Sequence, residues 1–514
     1  MPAAPRRTAL DKDLEKISDA REASIFVARG LVAPGVALLF IASAAVFASY
    51  AVSGSPGAVI MIAAAAIGGY MAINIGANDV TNSVGPAVGS NMLSMGAALI
   101  MAAVLEICGA LLAGWNVVTT VSSGIVPPSV IGNPQLFIEL MFAALISAAL
   151  WVNFSTLIGA PVSTTHSIVG AVMGSAMAAA GVSAVAWGTV TSIAFGWIIS
   201  PLAGGAVAAL FAVFIESGIV YQDDKLAAAR RSIPILIALM MGSFAAYLSL
   251  ITLSNRFSLG SGAVALIGIG VFLASWVVAH RYIRAQTFRL ENRNQSLKLL
   301  FRVPLVLSAG ALSFAHGAND VSNAVGPVAG IVYSMLDDSH AAGRVVVPLW
   351  VMVIGGFGIS FGILLYGPKL IRVVGEQITR LNPMRAFCIA LSTAIVVLTA
   401  SWLGMPVSST HIAVGSVFGV GFMREWYTAH SSQRRDYIKR QRAREQALRL
   451  EKGEPMPTKQ APAKSGKKNS EQEAIRRQLV RRAHVRTIFA AWFATVPAAG
   501  LFAALVFTVI HALT

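Results

Sequence analysis

The chain has 514 residues, of which 56% are hydrophobic and only 12% charged, and its mean hydropathy is +0.70. That excludes an ordinary soluble domain, in which about a quarter of the residues are charged. The formal net charge of +16 raises nucleic acid as a partner, but beside apolar spans basic residues read as contacts with anionic membrane lipid, and no nucleic-acid partner is expected.

Residues 1–31 form an N-terminal segment carrying both charge signs and no cleavable signal pattern, expected to stay cytoplasmic. A membrane span needs about 20 mostly apolar residues. Candidates lie near 33–52, 57–75, 84–113, 136–158, 187–217, 232–253, 260–280, 303–316, 345–366, 386–403 and 487–513, with shorter apolar stretches at 167–181 and 412–423 that suit re-entrant hairpins. Lipid admits only helices or closed barrels. Long Ala/Leu/Ile/Val/Gly runs without period-two alternation choose helices, so an all-α polytopic membrane protein of about 10–12 helices is expected. The 46 glycines let helix backbones approach closely. Cys108 and Cys388 fall in apolar segments and read as small buried residues.

Charge sets the orientation. The loop Arg281–Arg302 has six Lys/Arg and one Glu, and residues 424–486 have 18 Lys/Arg against seven Asp/Glu, whereas Trp115–Gln135 has no Lys or Arg. The positive-inside rule puts the two basic stretches in the cytoplasm. Within 424–486, Arg434 to Leu450 suits a basic helix on anionic lipid, and the Pro- and Lys-rich remainder suits partial disorder.

Two motifs occur twice. Gly76-Ala77-Asn78-Asp79-Val80-Thr81-Asn82-Ser83-Val84-Gly85-Pro86 returns as Gly317-Ala318-Asn319-Asp320-Val321-Ser322-Asn323-Ala324-Val325-Gly326-Pro327, and Pro161-Val162-Ser163-Thr164-Thr165-His166 returns as Pro406-Val407-Ser408-Ser409-Thr410-His411. The chain then divides into a membrane domain with the first repeat (32–217), connector helices with a basic loop (218–302), a second repeat (303–423), a basic insert (424–486) and a helix completing the second repeat (487–514). The ambiguous hairpins leave the number of crossings, and so parallel against inverted repeats, open.

A carboxylate near the bilayer centre costs at least ~2.5–3.5 kcal/mol and needs a partner. Neither motif contains Lys or Arg, so Asp79 and Asp320 require a cation, a proton or a fixed charge from a distant segment. Asn78, Asn82, Asn319 and Asn323 add neutral oxygens suited to a hard cation, with Na+ or H+ the economical choice. Helix capping by Asn-Asp is the simpler explanation of one copy. Duplication, each time with Gly-Pro following, favours an ion site at a broken helix.

In the second motif Pro161 or Pro406 halts a helix, and Ser163-Thr164-Thr165 or Ser408-Ser409-Thr410 opens the next. Free N–H groups and added hydroxyls there suit an oxyanion, although Ser and Thr also pack well between membrane helices. His166 and His411 are candidates for proton handling or for tying helices together. Asn74 and Asn153 read as packing contacts. An oxyanion near two carboxylates is repelled unless cations accompany it. Cation-coupled anion uptake follows.

These residues resemble the PiT family of inorganic phosphate transporters, over roughly 57–217 and 303–423 and extending to Gly404-Met405-Pro406 and Val414-Gly415. The resemblance implies an inverted-repeat fold, phosphate as substrate, Na+ or H+ as driving ion, aspartates at the cation sites with Na+ at Asp79 and Asp320, and Ser/Thr clusters near phosphate. Family members that carry sulfate also exist. The family often places a Glu in the helix before each Ser/Thr motif. Glu106 matches the first, as a coupling residue or a hydrogen-bonded helix carboxylate, whereas Ala390 stands where the second is expected.

The expected protein is therefore a phosphate symporter of a bacterial inner membrane, without a cofactor, in contact with lipid, with a homodimer as the candidate assembly. A passive anion channel is the alternative transport class. Without an intramembrane basic cluster to stabilise a transferring phosphoryl group, it is not expected to be an enzyme.

Overall fold

Apolar runs in lipid become helices because the helix satisfies its own backbone, and in this protein several helices end where glycine or a hydroxyl residue interrupts the run, as α3 does at Gly114 and α5 at Gly181. The computed structural model describes residues 31–157, 162–253, 260–336, 346–377, 382–451 and 482–514. In chain order the longer helices are α1 (Leu31–Ala51), α2 (Ala58–Ser83), α3 (Met95–Ala113), α4 (Pro134–Leu157), α5 (Thr164–Ala180), α6 (Trp187–Ile215), α7 (Lys225–Leu248) and α8 (Ser261–Thr287). They continue with α9 (Arg302–Leu336), α10 (Leu349–Gln377), α11 (Pro383–Trp402), α12 (Ser409–His430), α13 (Ser432–Glu451) and α14 (Arg482–Leu513). Among the described residues ten helices are long and apolar enough to cross a membrane, or eleven when Asn294–Leu300 and α9, bent by 43°, count as one span. The protein is an all-helical, multi-pass membrane protein.

The helices run past several sequence-drawn boundaries. The stretch expected to span 84–113 divides into a short helix, Gly85–Gly89, and α3, whose Ser94 caps its start by accepting a hydrogen bond from Ala97 N at 3.4 Å. The stretches 167–181 and 412–423 become α5 and α12, which begin at the hydroxyl clusters themselves.

A helix break was expected at both Gly-Ala-Asn-Asp motifs, and only the first has one. Helix α2 ends at Ser83, and Val84 breaks away with φ −115° and ψ −8°. Helix α9 continues through Pro327 to Leu336. Both prolines remove a backbone donor, so the difference lies downstream. After Pro86 the chain reads Ala-Val-Gly-Ser-Asn, reaching Asn91 at φ 58°, whereas after Pro327 come Val328, Ala329, Ile331 and Val332, all buried in the main core.

The halves exchange partners. Helix α2 packs along α10, and α9 along α3; α5 packs along α14, and α12 along α6. Glycine fixes each crossing at matching places. A Cβ at Gly76 would strike the Ile359 carbonyl, and one at Gly362 that of Ile73; across α9 and α3, Gly317 meets the Glu106 carbonyl and Gly109 that of Phe314. Likewise Gly170 and Gly174 approach the carbonyls of Val496 and Gly500, while Gly415 and Gly419 approach those of Pro201 and Gly205. Small residues thus bring backbones into direct contact, which drives helix association in lipid.

This correspondence corrects the sequence alignment of Glu106. The carbonyl facing Gly317 belongs to Glu106 and the one facing Gly76 belongs to Ile359, so Ile359 on α10, not Ala390 on α11, occupies the matching position.

Helices α7 and α8 pack on each other, with α8 turning Leu266, Ile269, Leu273 and Val278 outward. Helix α13 has no buried residue and lies where a basic helix was expected. It is tied by Gln433 Nε2 donating to Ser217 O at 2.9 Å, and by Arg440 and Arg444, each 3.4 Å from Asp223. The remaining insert, where partial disorder was expected, and the N-terminal segment lie outside the described residues. Cys108 is half-buried and Cys388 buried, both as free thiols.

Candidate functional site

Helices α5 and α12 start in the protein interior, and their first hydroxyl residues fix the start. Ser163 Oγ accepts from His166 N at 3.2 Å and Ser408 Oγ from His411 N at 3.3 Å, so these serines are the two N-caps. Pro406 precedes α12; Pro161, the expected helix stop of the first copy, lies outside the described residues. Each capped end leaves N–H groups of its first turn without a partner inside the helix, and a partial positive charge.

Three of the four remaining hydroxyls, those of Thr164, Ser409 and Thr410, converge on the two aspartates. Asp79 and Asp320 are each 1% exposed. Asp79 Oδ2 accepts from Thr164 Oγ1 at 3.2 Å, and Asp79 Oδ1 accepts from Thr410 Oγ1 of the other half at 3.0 Å and from Asn82 at 3.1 Å. Asp320 Oδ2 accepts from Ser409 Oγ at 3.0 Å. The asparagines stitch the halves together: Asn82 Nδ2 donates to Thr410 Oγ1 at 2.8 Å, and Asn323 Nδ2 to Thr165 Oγ1 at 3.2 Å.

Asn78 and Asn319 hold the backbone just before α5 and α12. Asn78 Nδ2 donates to Val162 O at 3.0 Å, while Asn319 Oδ1 accepts from Val407 N at 3.2 Å and its Nδ2 donates to Met405 O at 3.2 Å. Thr165 Oγ1 donates to Val407 O at 3.0 Å. The expected array of anion donors is therefore, in this conformation, engaged with carboxylates, caps and backbone.

His166 and His411 meet between the half-helices, their ring centroids 4.5 Å apart, and His166 stacks on Trp197 at 3.8 Å. This ties α5, α12 and α6 by ring packing, with His166 Nδ1 also 2.9 Å from its own cap Ser163 Oγ. Asn153 Nδ2 donates to Asn74 Oδ1 at 2.9 Å, joining α4 to α2 as a packing contact.

The residue that sequence reading missed is His316. It is fully buried; Nε2 lies 2.8 Å from Asp320 Oδ2 and 3.8 Å from Asp79 Oδ2, and Nδ1 lies 2.9 Å from Glu106 Oε2. The oxygens sit off the N–H directions, so the contacts are electrostatic in character. The partner from outside the motifs sought for the aspartates thus stands one residue before the second motif, as an imidazole that carries charge only when protonated. The signal was the mismatch just outside the repeat, Ile75 before Gly76 and His316 before Gly317. Glu106 Oε1 also accepts from Ser83 Oγ at 3.4 Å, so α3 joins the same cluster.

A cation fits this chemistry. Asp79, His316 and Asp320 each place a ligand atom within 4.8 Å of the others. Asp320 Oδ1 and Asn323 Oδ1, one turn apart on α9, are buried oxygens with no hydrogen-bond partner, and such oxygens suit a hard cation.

Residues 75–503 match the model of a family described as the phosphate transporter family. A protein of Helicobacter pylori (strain J99), named as a candidate phosphate permease, is 42% identical over 522 residues, covering 96% of this chain and 98% of its own. A similarly named protein of Pyrococcus abyssi is 37% identical over 372 residues, covering 72% of this chain and 91% of its own. A solved structure titled as the sodium-dependent phosphate transporter superposes with a TM-score of 0.73 at 29% identity, over 89% of this chain and all of that one.

Proposed function

The chain belongs to the phosphate transporter family, and from that premise we propose that it imports inorganic phosphate by symport with a monovalent cation, across the cytoplasmic membrane of a bacterium. One observation carries the reading: Asp79 receives hydroxyls from both half-helices, Thr164 of one repeat and Thr410 of the other. Cation and anion chemistry therefore share atoms.

Coupling follows from that sharing. A cation bound at the carboxylates competes for the oxygens that Thr164, Thr410 and Ser409 now occupy. The hydroxyls are released to turn toward a phosphate held at the two helix N-termini, where the donors and the dipoles both favour an oxyanion. The same cation offsets the repulsion between phosphate and aspartate, worth about 4 kcal/mol for unit charges 4 Å apart at an effective dielectric of 20. Phosphate binding without the cation is opposed on both counts, and ordered binding results.

Na+ is the favoured ion, because the unpartnered oxygens of Asp320 and Asn323 suit it and the solved relative is sodium-dependent by its title. H+ is the other outcome, with Glu106 and His316 as its carriers. We also infer that the repeats are inverted, related by a two-fold axis in the membrane plane; the exchange of helix partners supports this reading.

The test is uptake of radiolabelled phosphate into proteoliposomes under separately imposed Na+ and H+ gradients, with sulfate as competitor. Accumulation above the external concentration under one gradient is expected. Equilibration that ignores both gradients would replace the symporter with a passive channel.

A further inference from the structure

At the end of the bundle that carries the basic helix α13, the C-terminal end of α6, the N-terminal end of α11 and the later turns of α12 enclose a cavity of about 320 Å³. Its wall presents three cations, Lys298, Arg385 and Arg424, against one carboxylate, Glu216. Arg424 Nε lies 3.3 Å from Glu216 Oε1, so the excess charge is borne by Lys298 and Arg385. Helix α11 starts in this wall. Asn382 caps it by accepting from Met384 N at 3.1 Å, adding the positive end of a 20-residue helix to the same space. Tyr221 also lines the cavity, and burial pushes its phenol up, which keeps the hydroxyl protonated as a donor. From Ser409 to Arg424 along α12 is about 22 Å at 1.5 Å per residue, so the cavity is separate from the paired aspartates.

We propose that this cavity is a second oxyanion site, built for a phosphate group reaching it from the cytoplasmic face. Guanidinium forks match a phosphate bidentately, Lys298 supplies a point charge and the α11 start adds the positive end of its dipole. The volume holds a phosphate with its bridging waters, or the headgroup of an anionic lipid. The cavity's charge and volume are independent of which solute the protein transports.

The experiment uses the full chain in nanodiscs and equilibrium dialysis with radiolabelled inorganic phosphate, for the wild type, Lys298→Gln, Arg385→Gln and Asp320→Asn. In neutral phosphatidylcholine the wild type should bind a phosphate whose affinity falls at least tenfold in Lys298→Gln and Arg385→Gln and survives in Asp320→Asn. Lys298 lies on the short outer helix Asn294–Leu300, so its variant still reports if Arg385→Gln fails to fold. If a lipid headgroup is the occupant, phosphatidylglycerol should be retained through purification by the wild type and lost from Lys298→Gln, and should displace the free anion. Phosphate binding untouched by both substitutions, with no Lys298-dependent retention of phosphatidylglycerol, overturns the site. Phosphate binding with no component that Asp320→Asn removes would count against the transport reading and leave this one standing.

Discussion

Helix α9 crosses α3 in the way that α2 crosses α10, with the same pair of glycine contacts at each crossing, yet the two interfaces are filled with opposite chemistry. Beside Gly317 stand His316 and Glu106, an imidazole against a carboxylate at 2.9 Å. Beside Gly76 the matching positions hold Ile75 and Ile359, two hydrocarbon side chains. The duplicated scaffold accepts an apolar filling, and an apolar filling costs no desolvation of charge. The ionic filling in one copy therefore has a purpose other than holding the helices together. It brings a proton-bearing group within reach of both aspartates, so a symmetric frame houses an asymmetric site.

The comparison breaks most visibly at the aspartates. Asp79→Asn and Asp320→Asn should insert normally and lose gradient-driven phosphate accumulation by at least about 100-fold, since each removes a carboxylate that hydroxyls and cation share. Full driven uptake by either variant would remove the aspartates from the cation sites.

A double-mutant cycle sharpens the comparison at the interface itself. His316→Ile leaves the buried Glu106 without its imidazole and should destabilise by about 3–5 kcal/mol, whereas Glu106→Ile leaves His316 its contact with Asp320 and should cost less. The pair together recreates the apolar filling of the α2/α10 crossing and should recover most of that loss in thermal unfolding, while cation-driven uptake stays impaired. Recovery of both stability and driven uptake would make the ionic pair a packing device.

Smaller effects are expected at the hydroxyls. Thr410→Val removes the hydroxyl that is released from Asp79 to phosphate, a bond to a charged group, and should raise the apparent Km for phosphate by one to two orders of magnitude, from about 1.5–3 kcal/mol. Thr165→Val removes a donor to the Val407 carbonyl, and its bond between neutral groups, worth about 0.5–1.5 kcal/mol, should shift Km by no more than about tenfold. Equal effects in both would mean that the hydroxyls contact the anion directly and alike.

The smallest effect is expected from deleting Gln441 to Glu473. It removes the exposed Arg444–Asp223 contact, worth about 0.2–1 kcal/mol, and uptake should stay within about twofold of wild type. A deletion that inserts and yet does not transport would give the basic insert a regulatory role.

The helical membrane architecture was legible because hydropathy and the lipid constraint leave no other solution, and the paired motifs were legible because they repeat. Asp79, Asp320, Thr164, Ser409 and Thr410 do gather at one buried centre. What repetition could not reveal lay in its exceptions. His316 sits one position outside the repeated string, so a search for what the halves share passes over it. The partner of Glu106 was sought by sequence position, which pointed to Ala390; only the crossing of α2 with α10 identifies Ile359. The unbroken course of α9 depended on buried contacts of Val328, Ile331 and Val332, and tertiary packing of that kind is invisible along the chain.

The exchange of helix partners also governs the order of assembly. Helix α5 carries half of the hydroxyl chemistry, and the helix that covers it, α14, reaches its apolar part at Phe493. At synthesis rates of about 5–20 residues per second, the roughly 330 residues between them take about 15–65 s. During that interval the nascent protein holds hydroxyls, and then aspartates from both motifs, in the bilayer with the α14 wall of α5 missing.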